Sequence, residues 1–201
     1  MASLLTTEDV LYSLFYEDPA YYERMMEVSL ERVREYTRAC DAPGVDILFV
    51  GGNVPGGFIG RANYEQHVLE WERRQIDVAQ QKGTPAAYHN CGQIQALVEA
   101  YKGLGVAAVE PFSPPPKLGD ADLTEAKRLV GEDYVIIGGV DQVDVIGKGT
   151  VEEVRRATEA TMAAGKPGGR FVLQTADFLE HGTPLATVEA FVETALKNAW
   201  Y

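Results

Sequence analysis

Ala86-Ala87-Tyr88-His89-Asn90-Cys91-Gly92 is a short apolar run that stops on polar residues and a glycine, with a helical pattern over 93–104 behind it. Four more apolar, β-branched runs stand at 45–50, 106–110, 134–138 and 170–174, separated by amphipathic patterns at 64–81, 123–130 and 151–164 and followed by one at 185–199. Continuously apolar runs suit strands covered on both faces, as in a parallel sheet wrapped by helices. The expected class is α/β with about five βα units. A closed barrel needs eight, so the count fits either a doubly wound open sheet or the last part of a (β/α)8 barrel.

Upstream of the first run the rhythm is helical. Leu11, Leu14 and Phe15 follow Thr6, Thr7 and the acidic pair Glu8-Asp9, the pattern of a capped helix ending near Glu17. Asp18-Pro19 interrupts it, and a longer helix runs to about Ala39 with Met25, Val28, Val33 and Tyr36 as candidate buried positions. The whole chain, 1–201, is expected to be one domain, a helical lead-in over 1–42 and βα units over 43–201.

Composition narrows the function classes. The chain is 46% hydrophobic and 24% charged, which places it among globular proteins that need no disulfide or metal merely to fold. A formal net charge of −12 with scattered basic residues opposes nucleic acid and anionic membranes as partners. No apolar run approaches the ~20 residues that span a bilayer. Two cysteines, Cys40 and Cys91, and an N-terminus without a secretory pattern point to the cytoplasm and to free thiols.

Ligands of parallel α/β folds gather at the carboxyl ends of the strands, so the residues there are the candidates. They are the loop Gly51-Gly52-Asn53-Val54-Pro55-Gly56-Gly57, then His89 to Gly92, Glu110, Gly139-Val140-Asp141, and Asp177. His89 and Cys91 form an H-x-C pair whose side chains alternation sends to one side, where both can reach one zinc ion. The bland alternative is a packing or hydrogen-bonding pair. A third ligand would come from Asp177 first, with Glu110 and His181 as alternatives. Glu110 and Asp141 are the candidate catalytic residues, each a general base, a substrate hydrogen-bond acceptor, or simply a helix-capping or ion-paired carboxylate. The glycine-rich loop lacks the G-x-G-x-x-G spacing of a dinucleotide site. Its Gly52 and Asn53, with Gln174 at the end of the fifth run, are the candidate substrate contacts.

Three segments taken in order resemble the C-terminal part of the uroporphyrinogen decarboxylase superfamily, and within it the corrinoid-linked methyltransferases. They are Tyr88-His89-Asn90-Cys91-Gly92; the stretch from Glu125 to Gly131 with Ile137-Gly138-Gly139-Val140-Asp141; and Phe171-Val172-Leu173-Gln174 with Thr183-Pro184 and a final helix. The resemblance spans about 45–199. It implies a TIM-type barrel of which the last five units are present, and zinc on His89 and Cys91. The pattern of those methyltransferases has a third ligand, a cysteine, at the position of Asp177, so the chain departs from it there.

The resemblance also implies an activity: transfer of a methyl group between a corrinoid protein and a thiol or tetrahydropterin acceptor. The partners would then be a corrinoid protein and a small-molecule methyl donor or acceptor. Two other readings remain: a metal-free decarboxylase-like lyase, and a non-catalytic partial barrel that pairs its open edges with another chain, including a second copy of itself.

Overall fold

The computed structural model describes residues 7–40, 44–52, 54, 56–117 and 119–200. Two helices lead: α1 (Glu8–Glu17) and α2 (Pro19–Cys40). Pro19 occupies the first helical position, where its missing N–H costs nothing, and Asp18 Oδ1 accepts the Tyr21 amide at 3.0 Å. Thr7 stands at the N-cap of α1 without a side-chain capping bond, and Thr6 lies outside the described residues. Leu11 and Phe15 are buried as expected, whereas Val28 and Tyr36 of α2 face outward.

Five parallel strands follow in simple sequence order: β1 (Leu48–Gly51), β2 (Ala86–His89), β3 (Ala108–Phe112), β4 (Val135–Val140) and β5 (Phe171–Thr175). All five expected strands are present. Each is followed by helical structure: α3 (Gly56–Asn63) and α4 (Leu69–Ala79) after β1, two 3-10 segments (Gln95–Leu97 and Ala100–Leu104) after β2, α5 (Leu123–Val130) after β3, α6 (Val151–Gly165) after β4, and α7 (Leu185–Asn198) after β5. The fold is α/β, a run of five consecutive βα units of a barrel-type sheet.

Local chemistry explains several boundaries. Thr150 and Glu153 form a reciprocal capping box at the start of α6, and Asp122 accepts the Glu125 amide at 3.0 Å to start α5. The pattern over 93–104 forms 3-10 turns instead of an α-helix. The glycine-rich stretch expected as a loop contributes α3, whose helical path is kinked at Gly60, φ 73°.

Alternation along the strands divides the sheet into two faces. Leu48, Val50, Ala86, Tyr88, Val109 and Ile136 belong to the main core under the helices. The opposite, inner face carries Ala87, Ala108 and Ile137, a small separate apolar cluster. Directly beyond that cluster, toward the carboxyl ends, the register brings Gly51 beside His89, His89 beside Glu110, and Gly139 beside Gln174. The inner face thus changes from apolar to polar at the strand ends.

Candidate functional site at the strand ends

His89 closes β2 with its ring on the inner face, where its Nδ1 lies 2.5 Å from Oε1 of Glu110 on the neighbouring strand. The other oxygen of Glu110, Oε2, accepts the Gln174 amide at 2.9 Å. Gln174 belongs to β5, so its side chain crosses β4, where its register partner is Gly139 and no side chain intervenes. Three strands are tied together by one carboxylate.

The electrostatics follow from those contacts. Hydrogen bonds to Cys91 and to Glu110 favour the charged imidazole and raise the His89 pKa to about 10, against the opposing effect of partial burial. Burial alone would raise Glu110, but the hydrogen bonds from His89 and Gln174 outweigh it and hold the carboxyl below its usual range. At neutral pH the result is an imidazolium flanked by a carboxylate and the Cys91 sulfur.

The remaining expected residues fall elsewhere. Asp141 is buried, and its Oδ1 accepts the amides of Val143 at 2.7 Å and Asp144 at 2.8 Å, capping a π-helical turn (Gln142–Gly147) that no sequence pattern marks. Asp177 Oδ1 accepts the Phe178 amide at 2.8 Å, and His181 is exposed. Gly52 donates its amide to the His89 carbonyl at 2.8 Å. Asn53 lies outside the described residues.

The donors present fit zinc only in part. His89 and Cys91 are an imidazole and a thiol in hydrogen-bond contact, a suitable pair of zinc donors. Among the described residues, however, no three His, Cys, Asp or Glu side chains are grouped closely enough to hold a metal ion. His89, Cys91 and Asp177 are thus not grouped among the described residues, and Asp177 Oδ1 accepts the Phe178 amide. Both oxygens of Glu110 are already occupied.

Asn90 does not stand out in the sequence, yet it is fully buried and holds the loop after β1 in place. Its Oδ1 accepts the Val54 amide at 2.7 Å, and its Nδ2 donates to the Val54 carbonyl and to the Tyr101 hydroxyl. A second residue outside the expected set is Glu72 of α4, whose Oε2 accepts the hydroxyls of Tyr64 and Tyr88, each at 2.6 Å. Its signal is legible: Glu72 sits at helical spacing with Val68, Ile76 and Ala79, on the apolar side of its helix.

The sequence pattern of the uroporphyrinogen decarboxylase family (URO-D) matches residues 1–197. The chain belongs to that family. Within it, a methylated-thiol–coenzyme M methyltransferase of Methanosarcina mazei is 26% identical over 176 residues, covering 87% of this chain and 44% of the relative. A methylcobamide:CoM methyltransferase of the same organism is also 26% identical, with 83% and 46% covered. A uroporphyrinogen decarboxylase of Syntrophotalea carbinolica is 27% identical, with 81% and 45% covered. The chain spans less than half the length of these relatives. A solved methyltransferase structure from Methanosarcina mazei matches with a TM-score of 0.84 over 99% of this chain and 56% of that one, at 15% identity, which is a likeness of fold. The family relatives thus include methyltransferases and a decarboxylase. Among the described residues no helix is long and apolar enough to cross a membrane.

Proposed function

We propose that this chain carries the acceptor-activating half of a methyltransferase, which moves a methyl group between a corrinoid protein and a thiol or tetrahydropterin acceptor. The observation that carries the reading is His89 held between Cys91 and Glu110 at the carboxyl end of β2. Its context is two methyltransferase relatives of the same family.

His89 and Cys91 are the proposed zinc ligands, with a third to come from the loop that carries Asp177 and His181. Bound there, zinc would supply Lewis acidity that lowers the pKa of an acceptor thiol. The chain's own residues prepare that chemistry. Glu110 fixes the imidazole through Nδ1, the orienting arrangement that metal-ligating histidines commonly show. Gln174 in turn fixes Glu110. Both are positioning residues in this reading, and Asp141 shapes the turn after β4. Gly52 and Asn53 remain the proposed substrate contacts.

Metal analysis of the purified chain, alongside His89→Ala and Cys91→Ser, tests the assignment. The expected result is near-stoichiometric zinc that both substitutions remove, together with loss of methyl transfer from methylcobalamin to a thiol. Zinc uptake should also release a proton, because the charged imidazole must deprotonate to ligate. A chain whose zinc content is indifferent to both substitutions would sink the metal assignment. Activity on a porphyrinogen that survives chelation would favour the decarboxylase reading instead.

A further inference from the structure

The loop that leaves β1 runs alongside the segment that carries His89 and Cys91, and the two are fastened at three successive points. The Gly52 amide donates to the His89 carbonyl at 2.8 Å, Val54 is bound by Asn90, and the Gly57 amide donates to the Gln93 carbonyl at 3.2 Å. The outer two points are backbone bonds. The middle one is a side-chain clasp: Asn90 Oδ1 accepts the Val54 amide at 2.7 Å while Nδ2 donates to the Val54 carbonyl at 3.0 Å. A carboxamide matches a peptide group in this way because it presents an acceptor and a donor side by side.

The clasp is footed in the core. Asn90 Nδ2 also donates to the Tyr101 hydroxyl at 2.7 Å, and both residues are fully buried. The Tyr101 ring in turn packs edge-on against Tyr88, with 5.4 Å between centroids. The Asn90 amide donates to the Glu110 carbonyl at 2.8 Å, which binds the same residue to β3. The far side of the segment is held as well: the Gln95 amide donates to Asp120 Oδ1 at 3.0 Å, and Gln95 Oε1 accepts the Asp122 amide at 2.9 Å. A buried carboxamide satisfied on both its oxygen and its nitrogen is expensive to pull away, so the clasp resists opening of the loop.

We infer that Asn90 is a positioning residue: it joins the loop after β1 and the His89–Cys91 segment into one unit, so that the loop is a standing wall of the site rather than a lid. Gly52 and Asn53, the proposed substrate contacts, directly precede Val54, so loosening Val54 loosens them. What the wall does rests on the methyl-transfer reading, in which it holds the acceptor beside Cys91; the coupling itself does not depend on that reading. Loss of the clasp weakens acceptor binding more than turnover.

Amide hydrogen exchange by NMR on the full chain, compared with Asn90→Ala and Tyr101→Phe, tests the coupling. Tyr101→Phe disturbs the same core but keeps both bonds to Val54. The expected result is exchange at Gly52 and Gly57, which Asn90 does not bind, at least about tenfold faster in Asn90→Ala and near the wild-type rate in Tyr101→Phe. Should Asn90→Ala fail to fold, Asn90→Ser keeps a hydroxyl in place but cannot span both Val54 groups, and gives the same comparison. In methyl transfer from methylcobalamin to mercaptoethanol, the KM for the thiol should rise at least about fivefold with kcat within about twofold. Acceleration confined to Val54, equal acceleration in Tyr101→Phe, or a fall in kcat at unchanged KM would each overturn the inference. A wild-type chain inert toward the thiol would instead overturn the methyl-transfer reading, and the exchange comparison would still decide the role of Asn90.

Discussion

Glu72 and Glu110 lie on opposite sides of the same strand ends, and the protein treats them in opposite ways. Glu110 faces a histidine and is held as a carboxylate below its usual pKa. Among the described residues, the hydrogen-bond partners of Glu72 are the neutral hydroxyls of Tyr64 and Tyr88. Burial dominates there and raises its pKa to about 7, although both hydroxyl bonds pull the other way. Hydrogen bonds from neutral donors offset only part of the cost of taking a carboxyl fully out of water. One face of the sheet is built to keep a charge, the other to keep a polar network closed.

Deleting each carboxyl in turn separates the two sites by the largest margin. Glu72→Ala leaves the fully buried Tyr64 and Tyr88 without their common acceptor and opens space in the core. The expected cost is about 3–5 kcal/mol, read as a lower urea midpoint. Glu110→Ala should cost less, because the His89 side chain it abandons retains solvent access. Equal losses would mean that burial is not what separates the two sites.

The pH dependence comes next in size. Between about 4.5 and 7 the folded chain keeps the Glu72 proton while the unfolded chain has lost it, so stability falls as pH rises through this window and levels off above it. The change is on the order of 3 kcal/mol. Glu110 acts with the opposite sign: its contribution is present above the unfolded value near 4.5 and is lost as pH falls through its lower folded value. His89 contributes stability that is full below about 6.5 and fades as pH rises through about 10. Denaturant midpoints from pH 4 to 10, compared between wild type and Glu72→Gln, should show the first slope vanish and the last remain.

A smaller effect is expected from Gly52→Ala. An added Cβ would stand 2.1 Å from the Tyr88 hydroxyl oxygen and 2.6 Å from Glu72 Oε1. Tyr88 is fully buried and cannot swing away, so overpacking should cost about 1–3 kcal/mol. Thermal unfolding checks it. A neutral substitution would mean that the tyrosine network is looser than its 2.6 Å bonds indicate.

The sequence made the fold easier to read than the site, and particular residues show why. Apolar runs of β-branched and small residues with intervening helical periodicity located all five strands, including β1 and β5, where Phe49 and Val172 are exposed and only the run's apolar character marks the strand. The segment Gly56–Asn63 escaped because glycines argue against helix by propensity. Tertiary packing decides it: a Cβ on Gly56 would fall 2.7 Å from the Leu97 side chain, so the glycine permits α3 to press against the next segment. At the site, strand periodicity put His89 and Cys91 on one side, and Glu110 was recognised as a strand-end acid. That Glu110 would bind His89 and Gln174 at once depends on the register of three strands, which no local pattern encodes. Asp177 was assigned by its place after β5, and the hydrogen bond of its Oδ1 with the Phe178 amide belongs to loop geometry that no local pattern encodes.

The smallest effect isolates the Glu110 side of the comparison. Gln174→Ala removes one hydrogen bond of 2.9 Å to Glu110 Oε2 and leaves the bond from His89 on Oε1 intact. The loss should be about 1 kcal/mol, since a single partly buried hydrogen bond is exchanged for one with water. The informative reading is the His89 imidazole titration by NMR. Its midpoint should stay high in Gln174→Ala, because Cys91 and Glu110 both remain, and should drop clearly in Glu110→Gln, which removes the anion. If Gln174→Ala lowers the midpoint as far as Glu110→Gln does, then the tether from β5, rather than the charge on β3, is what holds the imidazolium in place.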